Sequence, residues 1–140
     1  MSEESTTPDP EELWRRVVDA LNSGDFDAVM SFYAPDAVVD SMAMATDFEG
    51  VAAIRGLFED MLRPYEEWEI EAEEILDLGN GVAFGVLLQQ GRPAGSSGRV
   101  QMRLGSVVMM DEGVVTRQTM YTDIPEARAA AERLAEERGR

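Results

Sequence analysis

Residues 21–41 read LNSGDFDAVMSFYAPDAVVDS, and this stretch decides the fold. Gly24 ends a first helix, because glycine accepts the left-handed backbone that closes many helices. Asp25 then caps a short second helix, which Pro35 stops. A short strand over residues 37–42 follows, centred on two β-branched valines. The stretch therefore predicts two helices that lead directly into a sheet.

Helices flank this stretch on both sides. Upstream, Asp9 caps the first helix, with Pro10 in its first turn and Glu12 three residues after the cap. The apolar residues of that helix recur at helical spacing: Leu13, Trp14, Val17, Val18 and Leu21. Downstream, residues 42–48 are expected to form a loop or irregular edge. A third helix is predicted from about residue 51 to residue 63, just before Pro64.

Beyond the third helix the hydrophobic pattern changes from helical to alternating. One strand begins at Trp68, where apolar residues alternate with glutamates, and three more are predicted over residues 82–90, 99–110 and 114–122. Tight turns at 79–81 and 111–113 join them in a meander. A last helix begins near Ile124, capped by Asp123. Segregated helices and consecutive strands predict an α+β domain.

Composition excludes several kinds of chemistry. The chain of 140 residues has no cysteine, no histidine and no lysine, so thiolate, imidazole and Schiff-base mechanisms have no residue to use. We predict no metal and no cofactor. The net charge of −16 repels phosphate backbones and anionic lipid, so nucleic acid and membrane are not expected partners. A cationic partner would explain this acidity, but the even spread of the acids favours solubility or a salty habitat.

The length fits one ordinary domain. Residues 1–8 are polar and acidic and are expected to form a disordered lead-in, with a single domain over residues 9–138. The start has neither the basic residues nor the apolar stretch of a signal peptide, and no apolar run reaches the length of a membrane span. We therefore expect the protein in the cytoplasm.

Three stretches resemble the SnoaL-like proteins of the nuclear-transport-factor-2-like superfamily, which includes ketosteroid isomerases, polyketide cyclases and limonene-epoxide hydrolases. They are residues 21–41, residues 48–62 (FEGVAAIRGLFEDML) and residues 107–123 (VVMMDEGVVTRQTMYTD). The resemblance implies a cystatin-like cone, in which a curved antiparallel sheet carries helices on its concave face. It also implies an apolar cavity between that face and the first and third helices.

Aligning the turns on this fold predicts which residues face the cavity. The predicted ligand-binding residues are Trp14, Val17, Ser41, Phe58, Phe84, Met102, Ser106, Gln118 and Met120. Gln118 and Ser106 are the best polar candidates among them for contacting a ligand, and each can hydrogen-bond a carbonyl or hydroxyl group. They could equally satisfy each other or hold a water molecule.

The catalytic residues that the resemblance implies are missing. The aspartate base, the tyrosine and the aspartic acid of ketosteroid isomerases correspond here to Ser41, Val17 and Ser106. The aspartate–arginine–aspartate set of limonene-epoxide hydrolases is also broken, because Gln101 and Met120 stand where its carboxylates are wanted. An isomerase, cyclase or hydrolase activity therefore lacks its expected groups.

Asp40 is the remaining candidate catalytic residue. If the strand register is shifted by one, Asp40 points into the apolar cavity and could serve as a general base with a raised pKa. The alternative, which the expected register favours, is a solvated aspartate at the strand edge.

Two functions follow. The first is a pocket protein that binds a small, mostly apolar, uncharged molecule and isomerises, cyclises or hydrates it. The second is a non-catalytic binding or dimerisation module. In either case we also expect a homodimer. Leu87, Val107 and Met109 should form an apolar convex face on which a second copy of the chain can pack.

Overall fold

The computed structural model describes residues 9–140, which form four helices and six strands. The predicted lead-in, residues 1–8, lies outside the described residues. In chain order the elements are α1 (Pro10–Ser23), α2 (Phe26–Met30), β1 (Tyr33–Ser41), β2 (Thr46–Glu49), α3 (Val51–Leu62), β3 (Tyr65–Gly79), β4 (Val82–Pro93), β5 (Val100–Asp111), β6 (Val114–Tyr121) and α4 (Ile124–Arg138). No helix in this range combines the length and apolarity needed to span a bilayer.

The predicted α+β class and nuclear-transport-factor-2-like cone are confirmed. The six strands form one curved, unclosed sheet in the order β2-β1-β6-β5-β4-β3. The meander β3 to β6 is antiparallel, as predicted, but β1 pairs with β6 in parallel. The segment expected to be a loop or irregular edge contains β2, which pairs with β1 and forms one edge of the sheet.

Local sequence signals set the helix boundaries. The Asp9 side chain accepts a hydrogen bond from the Glu12 backbone N–H at 2.8 Å, and Asp25 caps α2 in the same way through Ala28 at 3.0 Å. Gly24 closes α1 with a φ of 75°, in the left-handed region. The Asp123 carboxylate likewise accepts from the Glu126 N–H at 2.9 Å and starts α4. Each cap satisfies a backbone N–H that the first helical turn leaves unpaired.

The end of α1 is fixed to the far edge of the sheet. The Asn22 side chain donates to the Ile70 carbonyl at 2.8 Å and accepts from the Ile70 N–H at 2.7 Å. The Trp68 indole Nε1 donates to the Leu21 carbonyl at 3.0 Å. These bonds hold α1 across the sheet and close one side of the cone.

The two faces of the sheet pack against different helices. The face that we call the inner face carries Val39, Leu87 and Val108 and packs under α1 and α3. The opposite, outer face carries Phe84, Val86 and Val107 and packs under α4. The resemblance implied helices on the concave face. The last helix, α4, differs from this expectation, because it lies on the outer face.

This arrangement corrects the predicted dimer surface. Val107 lies under α4, 5% exposed, and Leu87 points into the inner core instead of away from it. Of the three residues proposed for an apolar convex face, only Met109 remains half-buried on the outer face. The prediction failed because the helix that follows β6 covers the central strands of that face.

Candidate ligand-binding cavity

A cavity of about 40 Å³ lies between the inner face of the sheet and helices α1 and α3. On the same scale a single water molecule needs roughly 10–15 Å³. The wall of this cavity consists of the apolar residues Trp14, Leu21, Phe58, Met61, Leu62, Ile70, Leu87, Leu104 and Met120, and the polar residues Gln89, Ser106 and Gln118. The cavity is thus small, mostly apolar, and lined by uncharged side chains.

A second, wider cavity of about 200 Å³ adjoins the first. Met61, Leu104 and Met120 line both, so these three side chains separate the two spaces. The rest of its wall includes Ser41, Ala43, Met44, Met102, Tyr121 and Thr122. Methionine side chains are unbranched and adapt easily, so Met61 and Met120 are the adaptable part of this partition.

The strand register explains how the polar groups reach the cavity. Ser106 lies opposite Met120 on β6 and opposite Gly85 on β4, while Gln118 lies opposite Val108 and beside Val39. Both are nearly fully buried, at 1% and 2% exposure. The cavity wall therefore combines alternate residues of three neighbouring strands.

A buried tyrosine orients Gln118. The Tyr33 hydroxyl donates to Gln118 Oε1 at 2.5 Å, and its ring meets Phe58 edge to face with centroids 6.0 Å apart. Burial raises the pKa of the Tyr33 phenol far above its usual value, so the group stays protonated and serves as a donor. With its oxygen held in this way, the Gln118 amide is fixed in the cavity wall by a neutral hydrogen bond.

Five of the predicted ligand-binding residues lie in the wall of the inner cavity: Trp14, Phe58, Ser106, Gln118 and Met120. Ser41 and Met102 lie instead in the wall of the adjoining cavity. Ser41 is buried, and its hydroxyl accepts from the Met44 N–H at 3.2 Å. Val17 is completely buried in the inner core but is not part of the wall.

Phe84 does not face the cavity. The alternate residues of β4 face the opposite sides of the sheet from those predicted. Leu87 and Gln89 point inward, whereas Phe84 packs under α4. The guanidinium of Arg128 lies 4.8 Å above the Phe84 ring. Eight consecutive residues of β4 are buried, so the strand shows no alternation of apolar and polar residues that could reveal which face is which.

Asp40 also lies on the outer face. Its Oδ2 accepts from Arg117 Nε at 2.8 Å and Nη2 at 2.6 Å, and from the Thr119 hydroxyl at 3.3 Å. The expected register of β1 is therefore the one observed, with Ser41 inward and Asp40 outward. Asp40 is however not a solvated edge residue, since β1 runs between β2 and β6 and the residue is 9% exposed.

Sequence reasoning missed several residues of this region. Gln89 was missed because the orientation of β4 was reversed, and Tyr33 because β1 was predicted to begin only at residue 37. A register shift between Tyr33 and Val38 also prevents counting back along β1 by alternation. The helical stripe of α1 did include Leu21, and the alternation in β3 did include Ile70.

The comparisons with known proteins agree with this fold. The profile of the SnoaL-like domain matches residues 14–118, so the chain belongs to the SnoaL-like family. Members of this family typically bind small ligands, and some are cyclases or isomerases. No curated protein matches the sequence.

Solved structures show the same fold at low identity. A hypothetical protein with a ketosteroid isomerase-like fold from Catenulispora acidiphila, in complex with trimethylamine, is 14% identical, with a TM-score of 0.72 over 90% of this chain and 94% of that one. Bal32a, from a soil-derived mobile gene cassette, is 20% identical, with a TM-score of 0.72 over 88% and 94%. A proposed SnoaL-like polyketide cyclase from Shewanella denitrificans is 13% identical, with a TM-score of 0.68 over 89% and 97%. At these identities the likeness shows the fold alone.

Proposed function

We propose that this protein binds a small, mostly apolar, uncharged molecule in the inner cavity. The observation that carries the proposal is the wall itself, in which three neutral polar side chains stand among nine apolar ones. A charged ligand would lose its hydration there without gaining an opposite charge, which is costly. An apolar molecule with one or two neutral polar groups matches both parts of the wall.

The size of the cavity limits the ligand. A space of about 40 Å³ suits only a few non-hydrogen atoms, far below a drug-sized pocket. A longer molecule would extend past Met61 and Met120 into the adjoining 200 Å³. The trimethylamine complex of the Catenulispora protein supports the idea that this fold can hold a very small molecule.

Isomerisation, cyclisation and hydration, which the resemblance implies, each need proton transfer. Ser106, Gln89 and Gln118 donate and accept hydrogen bonds, but none of them is a base at neutral pH. Asp40 is held by Arg117 on the other face of the sheet. The position of these groups favours the alternative in which the chain binds its ligand without changing it.

Native mass spectrometry of freshly purified protein tests the proposal. We expect a retained mass above that of the chain, and we expect Ser106→Leu to release it, because the leucine side chain fills the cavity. Overpacking costs roughly 1–3 kcal/mol in a filled core and less beside a void, so this variant should stay folded. Ser97→Leu makes the same change in an exposed loop and should keep the ligand. Equal retention in both variants would contradict binding in this cavity.

A homodimer through the outer face is a separate proposal, now limited to the part that α4 leaves open. That part carries ion pairs, among them Arg103 with Glu73 and Arg117 with Asp40. Pairs of this kind could meet those of a second copy. Sedimentation at micromolar concentration should show a dimer that weakens as salt is raised, and a monomer at low salt would refute it.

A further inference from the structure

The indole of Trp14 has a hydrogen-bond donor without an acceptor. The side chain is 1% exposed and lies in the wall of the inner cavity. Within residues 9–140, Trp14 Nε1 is buried and has no hydrogen-bond partner. The other tryptophan, Trp68, differs in this respect, since its Nε1 donates to the Leu21 carbonyl at 3.0 Å. The great majority of buried donors in proteins are paired, so an unpaired one calls for an explanation.

The N–H edge of the Trp14 indole packs closely on the backbone of β4, where only a glycine fits. A Cβ atom at Gly85 would lie 3.1 Å from Trp14 Nε1 and 3.4 Å from its Cδ1. Any larger residue at position 85 would therefore press on the N–H edge. Gly85 is paired directly with Ser106 on β5, and the Ser106 side chain lines the same cavity. The unpaired donor and a hydroxyl group thus belong to the same part of the wall.

We infer that Trp14 Nε1 is the donor that anchors the polar end of the ligand, and that this end is a neutral carbonyl oxygen. The inference rests on the proposed function, since it assigns the orientation of a ligand in that cavity. An indole N–H donates and cannot accept, so the ligand must supply an acceptor. A carboxylate is excluded because no cation lies in the described wall to offset its burial. A hydrocarbon leaves the N–H unpaired, which makes the site selective for the oxygen atom.

Two probes of the same shape test this anchor. Acetone carries a carbonyl oxygen where isobutene carries a CH₂ group, and each has only four non-hydrogen atoms, as the small inner cavity requires. We expect the ketone to bind about ten-fold more tightly, the difference that one buried hydrogen bond makes. In a proton–nitrogen NMR spectrum, the chain should give two indole N–H signals, one for each tryptophan. The Trp14 signal should move downfield with the ketone but not with the alkene, and the Trp68 signal should stay in place as an internal control.

A pair of matched variants completes the test. Trp14→Phe removes the N–H and keeps an aromatic ring, so the ten-fold preference for the ketone should disappear. Trp68→Phe removes the indole whose N–H is already bonded, so it should keep the preference, and it also assigns the two NMR signals. If Trp14→Phe does not fold, the NMR shifts of the unmodified protein decide the question.

The outcomes separate the two proposals. Equal binding of both probes, or a ketone preference that persists in Trp14→Phe, overturns the anchor while leaving a binding cavity. Failure of both probes to bind at millimolar concentration counts against the anchor and against the proposed function together. A downfield shift of the Trp14 signal with the ketone alone, together with the lost preference in Trp14→Phe, establishes both.

Discussion

The inner and outer faces of this sheet are built from the same strands but carry different chemistry. The inner face presents neutral groups, such as Ser106 and the Tyr33–Gln118 pair. The outer face presents ion pairs, including Arg117 with Asp40 and Arg128 with Glu74. Ionised groups remain where water reaches at least one partner, and the enclosed face keeps groups that need no counter-charge. Neutral side chains therefore line the inside of the cone, whereas the ion pairs lie on its outer face.

Packing also differs between the faces. Beneath α4 the contacts are made by Ala127, Ala131 and Ala135, and a Cβ at Gly105 would come within 2.7 Å of the Ala127 Cβ. Such small residues let the helix lie directly on the strands. Beneath α1 and α3 the contacts are made by Trp14 and Phe58, whose rings span the gap without filling it. Large side chains thus hold the inner layers apart, and a void remains between them.

Phe84→Ala gives the largest expected effect. Phe84 is fully buried beneath α4, so its removal leaves a cavity and should cost about 3–5 kcal/mol in the free energy of unfolding, measured by urea denaturation. Binding of acetone should be unchanged, because the Phe84 ring is on the outer face. Phe58→Ala should cost a similar amount and also alter binding. If Phe84→Ala changed ligand affinity as much as Phe58→Ala, the two faces would not be independent.

Tyr33→Phe tests the neutral network of the inner face. The change leaves the buried Gln118 oxygen without its donor, so unfolding should become easier by about 1–3 kcal/mol. Tyr121→Phe is the control, since Tyr121 is only half-buried, and its effect on the urea midpoint should be small. An equal effect of the two variants would show that the Tyr33–Gln118 bond adds nothing to stability.

Asp40→Asn tests the outer ion pair. Arg117 is half exposed and an asparagine still offers an oxygen acceptor, so we expect a loss of about 1 kcal/mol and an intact fold. Ligand affinity should not change, because Asp40 lies on the face away from the cavity. If an activity is found and this variant loses it while remaining folded, Asp40 would return as the catalytic base.

The smallest effect concerns the pH dependence of the outer face. Asp40 lies opposite Asp47 on the neighbouring strand. It can accept a hydrogen bond from protonated Asp47 and repels the ionised form, so it raises the pKa of Asp47 above its ordinary value of 3.8. The folded state therefore favours protonated Asp47, and it loses stability as the pH rises above that value. Asp47→Asn should be more stable than the unmodified protein in neutral buffer, and the difference should shrink as the pH falls towards 3.8.

Glu73→Gln should change stability at neutral pH in the opposite direction to Asp47→Asn. The hydrogen bond and charge of Arg103 lower the pKa of Glu73 below 4.5, so its contribution is present above that value and is lost in acid. The variant should be less stable than the unmodified protein at neutral pH, with a difference that also shrinks on acidification. Urea midpoints measured across this pH range check both, and equal signs for the two variants would contradict the assigned contacts.

Much of the fold follows from local signals in the sequence. The caps at Asp9, Asp25 and Asp123 and the left-handed Gly24 are all found where they were predicted. The turns at Asn80 and Glu112 have the positive φ angles that such hairpins need. These features depend on neighbouring residues alone, so one sequence suffices to place them. The stripe of α1 also identified Trp14 as a residue facing the sheet.

The sequence by itself determined the order of the four helices and of every strand except β2, the family, and the uncharged character of Ser106, Gln118 and their apolar neighbours. Only the tertiary structure decided that β4 turns Gln89 inward and Phe84 outward, because a strand buried on both faces carries no alternation and the bulges in β3 break the count from its neighbour. Only the tertiary structure placed α4 over Val107. It also brought Tyr33 to Gln118 across 85 residues and left the Trp14 indole unpaired. Such contacts depend on which distant side chains meet, and spacing along the chain does not encode that.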